Sequence, residues 1–155
     1  MNEMSDILAV EAINPALTVS NKKALFQQLA LAAARKTGIE AKAIAAALNE
    51  RERLGSTGFG GGAAIPHGRL DGLSHVVGYF ARLTQPIDFQ AVDGVPVDLV
   101  FLLLSPPDAG ADHLKALASV SRALRNRQDL AKLRGARSRD AIFALLTGVE
   151  TLHAA

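Results

Sequence analysis

The sequence contains no cysteine. That excludes disulfide frameworks and thiolate metal sites, and it suits a reducing compartment. Nor does it contain a membrane-length apolar run. The longest strongly apolar stretch, "LVFLLL" at 99–104, falls far short of the roughly 20 residues a spanning helix needs. The opening residues, "MNEMSDILAV", lack the basic start and apolar run of a signal peptide. A cytoplasmic protein without membrane insertion is expected. Charge imbalance is small, with a formal net charge of +2. Basic residues gather late, in "SRALRNRQDLAKLRGARSR" at 121–139, but that stretch lacks the interleaved aromatics of a nucleic-acid surface. It reads as a solvated helical face, and nucleic acid is not an expected partner.

A chain of 155 residues predicts a single domain over 1–155, large enough to fold without a disulfide or a structural metal. Ser20 is placed to cap a helix over about 21–37, with Leu25, Leu29, Ala32 and Ala33 as its apolar stripe and Gly38 as its end. A second helix is predicted over about 40–53, stopped by Gly55. A short apolar piece follows at 63–65, then a strand at about 76–83. "IDFQAV" and "VPVDLVFLLL" flank Asp93-Gly94, a hairpin-turn dipeptide. Residues 99–104 do not alternate, which predicts a central strand buried on both faces. Two further helices are expected over about 112–126 and 138–147, the latter capped by Ser138. Helices, then strands, then helices predict an α/β fold: a mixed β-sheet flanked by helices on both faces.

The stretch "GSTGFGGGAAIPHGRL" at 55–70 holds six of the thirteen glycines and one of the four histidines. Each glycine costs stability unless its backbone takes a special dihedral or approaches something closely. A P-loop is excluded, because that motif ends in Gly-Lys-Ser/Thr and no lysine lies between Lys42 and Lys115. A dinucleotide fingerprint is excluded too: it follows a strand and opens a helix, whereas these glycines follow a helix and lead into an extended piece. What remains is a small-residue loop ending in Ile65-Pro66-His67-Gly68, which presents one imidazole in a defined direction. Taken alone, His67 reads more readily as a turn histidine without chemistry.

Two other residues bear on it. At 100° per residue from Ile44, Arg51 falls on the same side of its helix as Ala47 and Leu48, while Arg53 points the other way. A guanidinium on a buried stripe wants an anion, though a snorkelling arginine near a helix C-terminus fits the same pattern. His113 sits in a helix's first turn, on the stripe of Leu117, Val120 and Leu124, where backbone N–H groups favour an anion; a core-edge histidine fits there as well. Together, His67, His113 and Arg51 make a candidate anion site. Asp108 and Asp112 raise a metal centre as a second reading, but no H-x-x-x-H or H-E-x-x-H spacing supports it, and no metal is expected. His75 and His153 receive no role.

"RERLGSTGFGGGAAIPHGRL" resembles the signature of phosphotransferase-system IIA domains of the fructose–mannitol type, most closely the nitrogen-regulatory members. "PIDFQAVDGVPVDLVFLLLSP" and "ADHLKALASVSRALR" extend the likeness over about 6–148. The resemblance implies a phosphoryl carrier without a cofactor. It implies that His67 accepts the phosphoryl group, that His113 is the second active-site histidine and that Arg51 steadies the phosphate. The loop Ser56, Thr57, Gly58, Gly60, Gly61 and Gly62 is expected to bind phosphate through backbone N–H groups and to let a partner come close. Ser56 and Thr57 either donate hydroxyls there or serve as small turn residues. Implied partners are an HPr-like phosphocarrier and regulatory targets such as potassium-handling or sensor proteins. The chain has no room for a fused IIB, IIC or HPr domain, which favours regulatory output. A sugar-specific IIA component serving a separate IIB domain, and a non-catalytic binding module, are the other readings.

Overall fold

Strand β6 (Val97–Ser105) is buried along its whole length except at Asp98. Leu99, Phe101 and Leu103 pack into one apolar cluster and Val100, Leu102 and Leu104 into another, one on each face. Each such side chain contributes about 1.5–3 kcal/mol on leaving water. This double burial is why the stretch shows no polar alternation. The protein is described by a computed structural model covering residues 4–148.

The other strands assemble around β6. β5 (Val77–Ile87) runs antiparallel along one edge, from Val77 opposite Leu104 to Ile87 opposite Val97. On the other edge lie two short parallel pieces, β3 (Ala63–Ala64) beside Leu99 and Val100, and β4 (His67–Arg69) beside Leu103 to Ser105. Pro66 interrupts them, having no N–H to give, but its carbonyl still accepts from Leu103 N at 2.9 Å. β1 (Ile13–Leu17) pairs in parallel outside β5, and β2 (Gly58–Gly60) antiparallel outside β3, giving the order β1-β5-β6-β3-β2.

Helices cover both faces, as expected. α2 (Lys22–Thr37) and α3 (Ala41–Arg53) bury Leu25, Phe26, Leu29, Ile44 and Leu48 on one side. α1 (Met4–Ile7), α4 (Ala111–Ala123), α5 (Arg127–Gly135) and α6 (Arg139–Thr147) cover the other, through Ile7, Val120, Leu130, Leu133 and Ile142 among others. No helix among the described residues is long and apolar enough to cross a membrane.

Several local expectations are corrected. The cap of α2 is Asn21, whose side chain accepts from Ala24 N at 2.8 Å, rather than Ser20. Gly38, with φ of 78°, ends that helix, and Ser138 caps α6 through Ala141 N. The hairpin at Asp93-Gly94 is looser than a two-residue turn, since β5 stops at Ile87 and β6 starts at Val97. Phe89 is pulled into the core against Phe26, which takes the chain off the ladder. Gly94, with φ of 74°, then turns only the tip of the 88–96 excursion. The helix expected over 112–126 stops at Ala123, and Asn126 caps α5 by accepting from Gln128 N and Asp129 N. The late basic stretch is therefore more than a solvated face. Arg134 pairs with Asp98 at 2.9 Å, and Arg139 donates to the Ile13 carbonyl at 2.9 Å.

Two glycines separate close packing from conformational cost. A Cβ on Gly78 would lie 2.8 Å from Phe101 Cε1 and 3.0 Å from the Ile7 carbonyl oxygen, so Gly78→Ala is expected to destabilise by about 1–3 kcal/mol. Gly135 closes α5 with nothing within 4 Å of its would-be Cβ, and Gly135→Ala should stabilise by about 0.5–1 kcal/mol. Urea-unfolding midpoints moving in opposite directions would verify both.

Candidate active site

Four chain segments converge at one end of the sheet. α3 brings Arg51 in its last turn, β4 opens with His67, β6 ends with Ser105, and α4 begins two residues before His113. Residue spacing placed Arg51 on the buried side of α3, and its Nε donates to His67 Nε2 at 3.2 Å, while its Nη1 donates to the Gly55 carbonyl at 2.9 Å. The guanidinium is thereby held at both ends. Arg53 does point elsewhere, to an exposed pair with Glu50.

The tautomer of His67 follows from its partners. Nδ1 lies 2.8 Å from the Ile65 carbonyl oxygen, which only accepts, so Nδ1 carries the proton. Nε2 is then the nitrogen with the lone pair, consistent with its accepting from Arg51. Burial lowers the His67 pKa below the ordinary imidazole value; Arg51 lowers it further, while the Ile65 carbonyl and Glu52 oppose. The imidazole is thus kept neutral.

His113 lies against it, with ring centroids 5.7 Å apart and planes inclined at 49°. Its pKa is lowered too, first by burial, then by Arg69 and His67. The Ser105 hydroxyl is 2.6 Å from His113 Nδ1. Ser105 is fully buried, so its proton needs a partner. Donation to Nδ1 meets that need and leaves the His113 proton on Nε2. The reverse arrangement would strand a hydroxyl proton away from water.

Beside His67 lies a cleft of about 350 Å³ whose lining includes Arg51, Ser56, Thr57, Leu117, Ser121 and Arg125. Arg125 was not among the sequence candidates. The i, i+4 row Leu117, Ser121, Arg125 was the available signal. Glu52 was missed as well. Its carboxylate accepts from Thr57 N at 3.0 Å and from the Thr57 hydroxyl, and pairs with Lys22 Nζ at 2.7 Å. It ties the 56–57 loop to α3. Thr57 thus spends its hydroxyl internally, whereas Ser56 Oγ accepts from Gly58 N at 3.1 Å without using its own hydroxyl proton, and both border the cleft.

The glycines depart from expectation. Gly60, Gly61 and Gly62, with φ of 119°, 69° and 84°, form the turn between β2 and β3 and do not line the His67 cleft. Gly61 N donates to Asp93 at 3.0 Å, and its carbonyl accepts from Arg134 at 2.7 Å. A Cβ on Gly58 would sit 2.8 Å from Ala91 Cβ and 2.9 Å from Phe89 Cδ1. These glycines meet demands of the chain's own backbone and packing, and of the expected phosphate loop Ser56 and Thr57 are the members that line the cleft. Asp108 and Asp112 border a separate recess with His75, and no group of three or more metal-ligating side chains converges among the described residues. His153 lies outside the described residues. The arrangement presents a neutral nitrogen nucleophile with fixed cations beside it.

Residues 6–149 match the family described as "Phosphoenolpyruvate-dependent sugar phosphotransferase system, EIIA 2". The chain is 52% identical over 143 residues to the nitrogen regulatory protein of Bradyrhizobium diazoefficiens, covering 92% of this chain and 94% of that one. It is 34% identical over 149 residues to the nitrogen regulatory protein of Escherichia coli strain K12, covering 96% and 91%. The crystal structure of Nitrogen Regulatory Protein IIA-Ntr from Neisseria meningitidis superposes with a TM-score of 0.89 at 35% identity, covering 93% of this chain and 99% of that one.

The lowered pKa values carry a sign for stability. Below pH about 6.5 the unfolded chain binds protons that folded His67 and His113 resist. Their contribution is fully present above that pH and is lost as pH falls through the folded values. Urea unfolding should show stability declining from pH 7 towards 5, with a shallower decline in His67→Gln. Proton NMR of the two rings should place both titrations below the ordinary histidine value.

Proposed function

This chain belongs to the EIIA type 2 family of the phosphoenolpyruvate-dependent phosphotransferase system, and on that premise we propose that Nε2 of His67 is its phosphoryl acceptor. The donor is an HPr-like carrier phosphorylated on histidine. The observation that carries the reading is the pair of contacts on one ring: Nδ1–H on the Ile65 carbonyl and Nε2 facing Arg51.

In the transfer, the Nε2 lone pair attacks phosphorus in line. The new N–P bond forms as the carrier's N–P bond breaks, and the electron pair of that bond returns to the carrier's imidazole. Only a neutral ring has that lone pair. Positive charge developing on the His67 ring spreads to Nδ1–H, where the Ile65 carbonyl stabilises it. The transition state is loose, so positioning and electrostatics dominate. Arg51 Nε, relieved of the lone pair as Nε2 bonds phosphorus, turns its N–H to a phosphoryl oxygen, and Arg125 adds a second positive charge across the cleft. His113, set by Ser105 as the Nε2–H tautomer, donates to another oxygen.

The output follows from charge. Phosphorylation adds about −1.5 to −2 charges. That reverses the local potential beside Arg51 and switches the docking of regulatory targets, among which potassium-handling and sensor proteins are the expected kind. The names of the similar nitrogen regulatory proteins support a regulatory role over direct sugar uptake.

Incubation with phosphoenolpyruvate, Enzyme I and the carrier should yield an acid-labile, alkali-stable phosphate, absent in His67→Ala. Phosphorus–nitrogen NMR couplings should assign it to Nε2; a linkage to Nδ1, or normal labelling of His67→Ala, would overturn the reading. His113→Ala should still accept phosphate but transfer it onward about 10²–10³-fold more slowly. Ser105→Ala should slow onward transfer less, without loss of folding.

A further inference from the structure

A second cationic recess lies outside the His67 site, at the β1 edge of the sheet. It is a cleft of about 510 Å³ between the end of α2 and the start of α6, floored by Asn14 of β1 and Tyr79 of β5. Arg35 and Lys36 reach it from the last turn of α2, and Arg139 from the first residue of α6. None of the three makes an ion pair among the described residues. Glu11 is the acidic residue in the lining, so the cleft has an excess of two positive charges.

The two sources of cations differ in what explains them. Arg35 and Lys36 at a helix C-terminus are favoured by the helix dipole. Arg139 at a helix N-terminus is disfavoured by it, yet its Nε is anchored on the Ile13 carbonyl at 2.9 Å, which fixes the guanidinium at the cleft. Tyr79 is half-buried there. Its phenol pKa is raised by burial, and Arg35, Arg139 and Asn14 oppose the rise.

We propose that this cleft is a binding site for a small phosphorylated molecule, its phosphate held by Arg35, Lys36 and Arg139 and its body against Tyr79. An excess of two charges matches a phosphate dianion, and planar guanidinium forks suit phosphate oxygens. The volume exceeds what one phosphate fills, leaving space for the rest of the ligand. The site shares no lining residue with the His67 cleft and does not rest on the phosphoryl-acceptor reading.

The sequence supplies its own probe. Tyr79 is the only tyrosine and there is no tryptophan, so ultraviolet-excited emission of the full chain reports on this cleft. Titration with pyrophosphate, with potassium chloride adjusted to hold ionic strength constant, should change that emission saturably. Arg35→Ala and Arg139→Ala should each weaken the apparent affinity about tenfold. Arg51→Ala, which disables the other cationic site, should leave the response intact. Arg35 is exposed and makes no structural hydrogen bond in the core, so its variant remains informative if Arg139→Ala fails to fold. A flat or non-saturating response overturns the proposal, as does saturation unchanged in Arg35→Ala or lost in Arg51→Ala.

Discussion

The burial of β6 on both faces is the constraint from which the site geometry follows. A strand apolar on both sides has no solvent face to slip towards, and a one-residue shift would exchange its two packed sets of side chains. Its register therefore holds for everything paired to it. β4 lies beside it with His67 opposite Leu103, and its last residue, Ser105, holds the ring of His113. Both imidazoles are placed by one strand. Arg51 is brought to the same spot by α3, whose Ile44 and Leu48 are seated on the face of that sheet.

Electrostatics around the histidine depends on which charges are already satisfied. Glu52 adjoins Arg51 in sequence, and a free carboxylate there would compete with any incoming anion. Its oxygens are instead held by Lys22 and Thr57. Arg51 is left with a carbonyl and a neutral nitrogen as partners, neither of which cancels its charge. The protein thus keeps a cation beside an uncharged imidazole, a pairing that disfavours protonation of the ring and attracts an anion.

The glycine-rich stretch illustrates how a composition signal can mark a place for more than one physical reason. It does lead into His67. Yet Gly60, Gly61 and Gly62 are needed for left-handed turns gripped by Asp93 and Arg134, and Gly58 because Phe89 and Ala91 crowd it. The entropy these residues lose on folding is offset within the chain, by tight packing at the β2–β3 edge.

Much was determined by the sequence alone. The buried central strand, the two-sided α/β architecture, the inward faces of Arg51 and His113 and the presentation of His67 all follow from periodicities of 3.6 and 2 and from proline and glycine chemistry, which act within a few residues. Family resemblance added the roles. Tertiary structure alone decided which nitrogen of His67 keeps its lone pair, because that depends on a carbonyl two residues back and an arginine sixteen residues away meeting one ring. It also decided the engagement of Ser105 with His113, the arrival of Arg125, the detachment of Gly60 to Gly62 and the gathering of Arg35, Lys36 and Arg139 from distant helices. Those are relations between side chains far apart in the chain, and no local pattern encodes them.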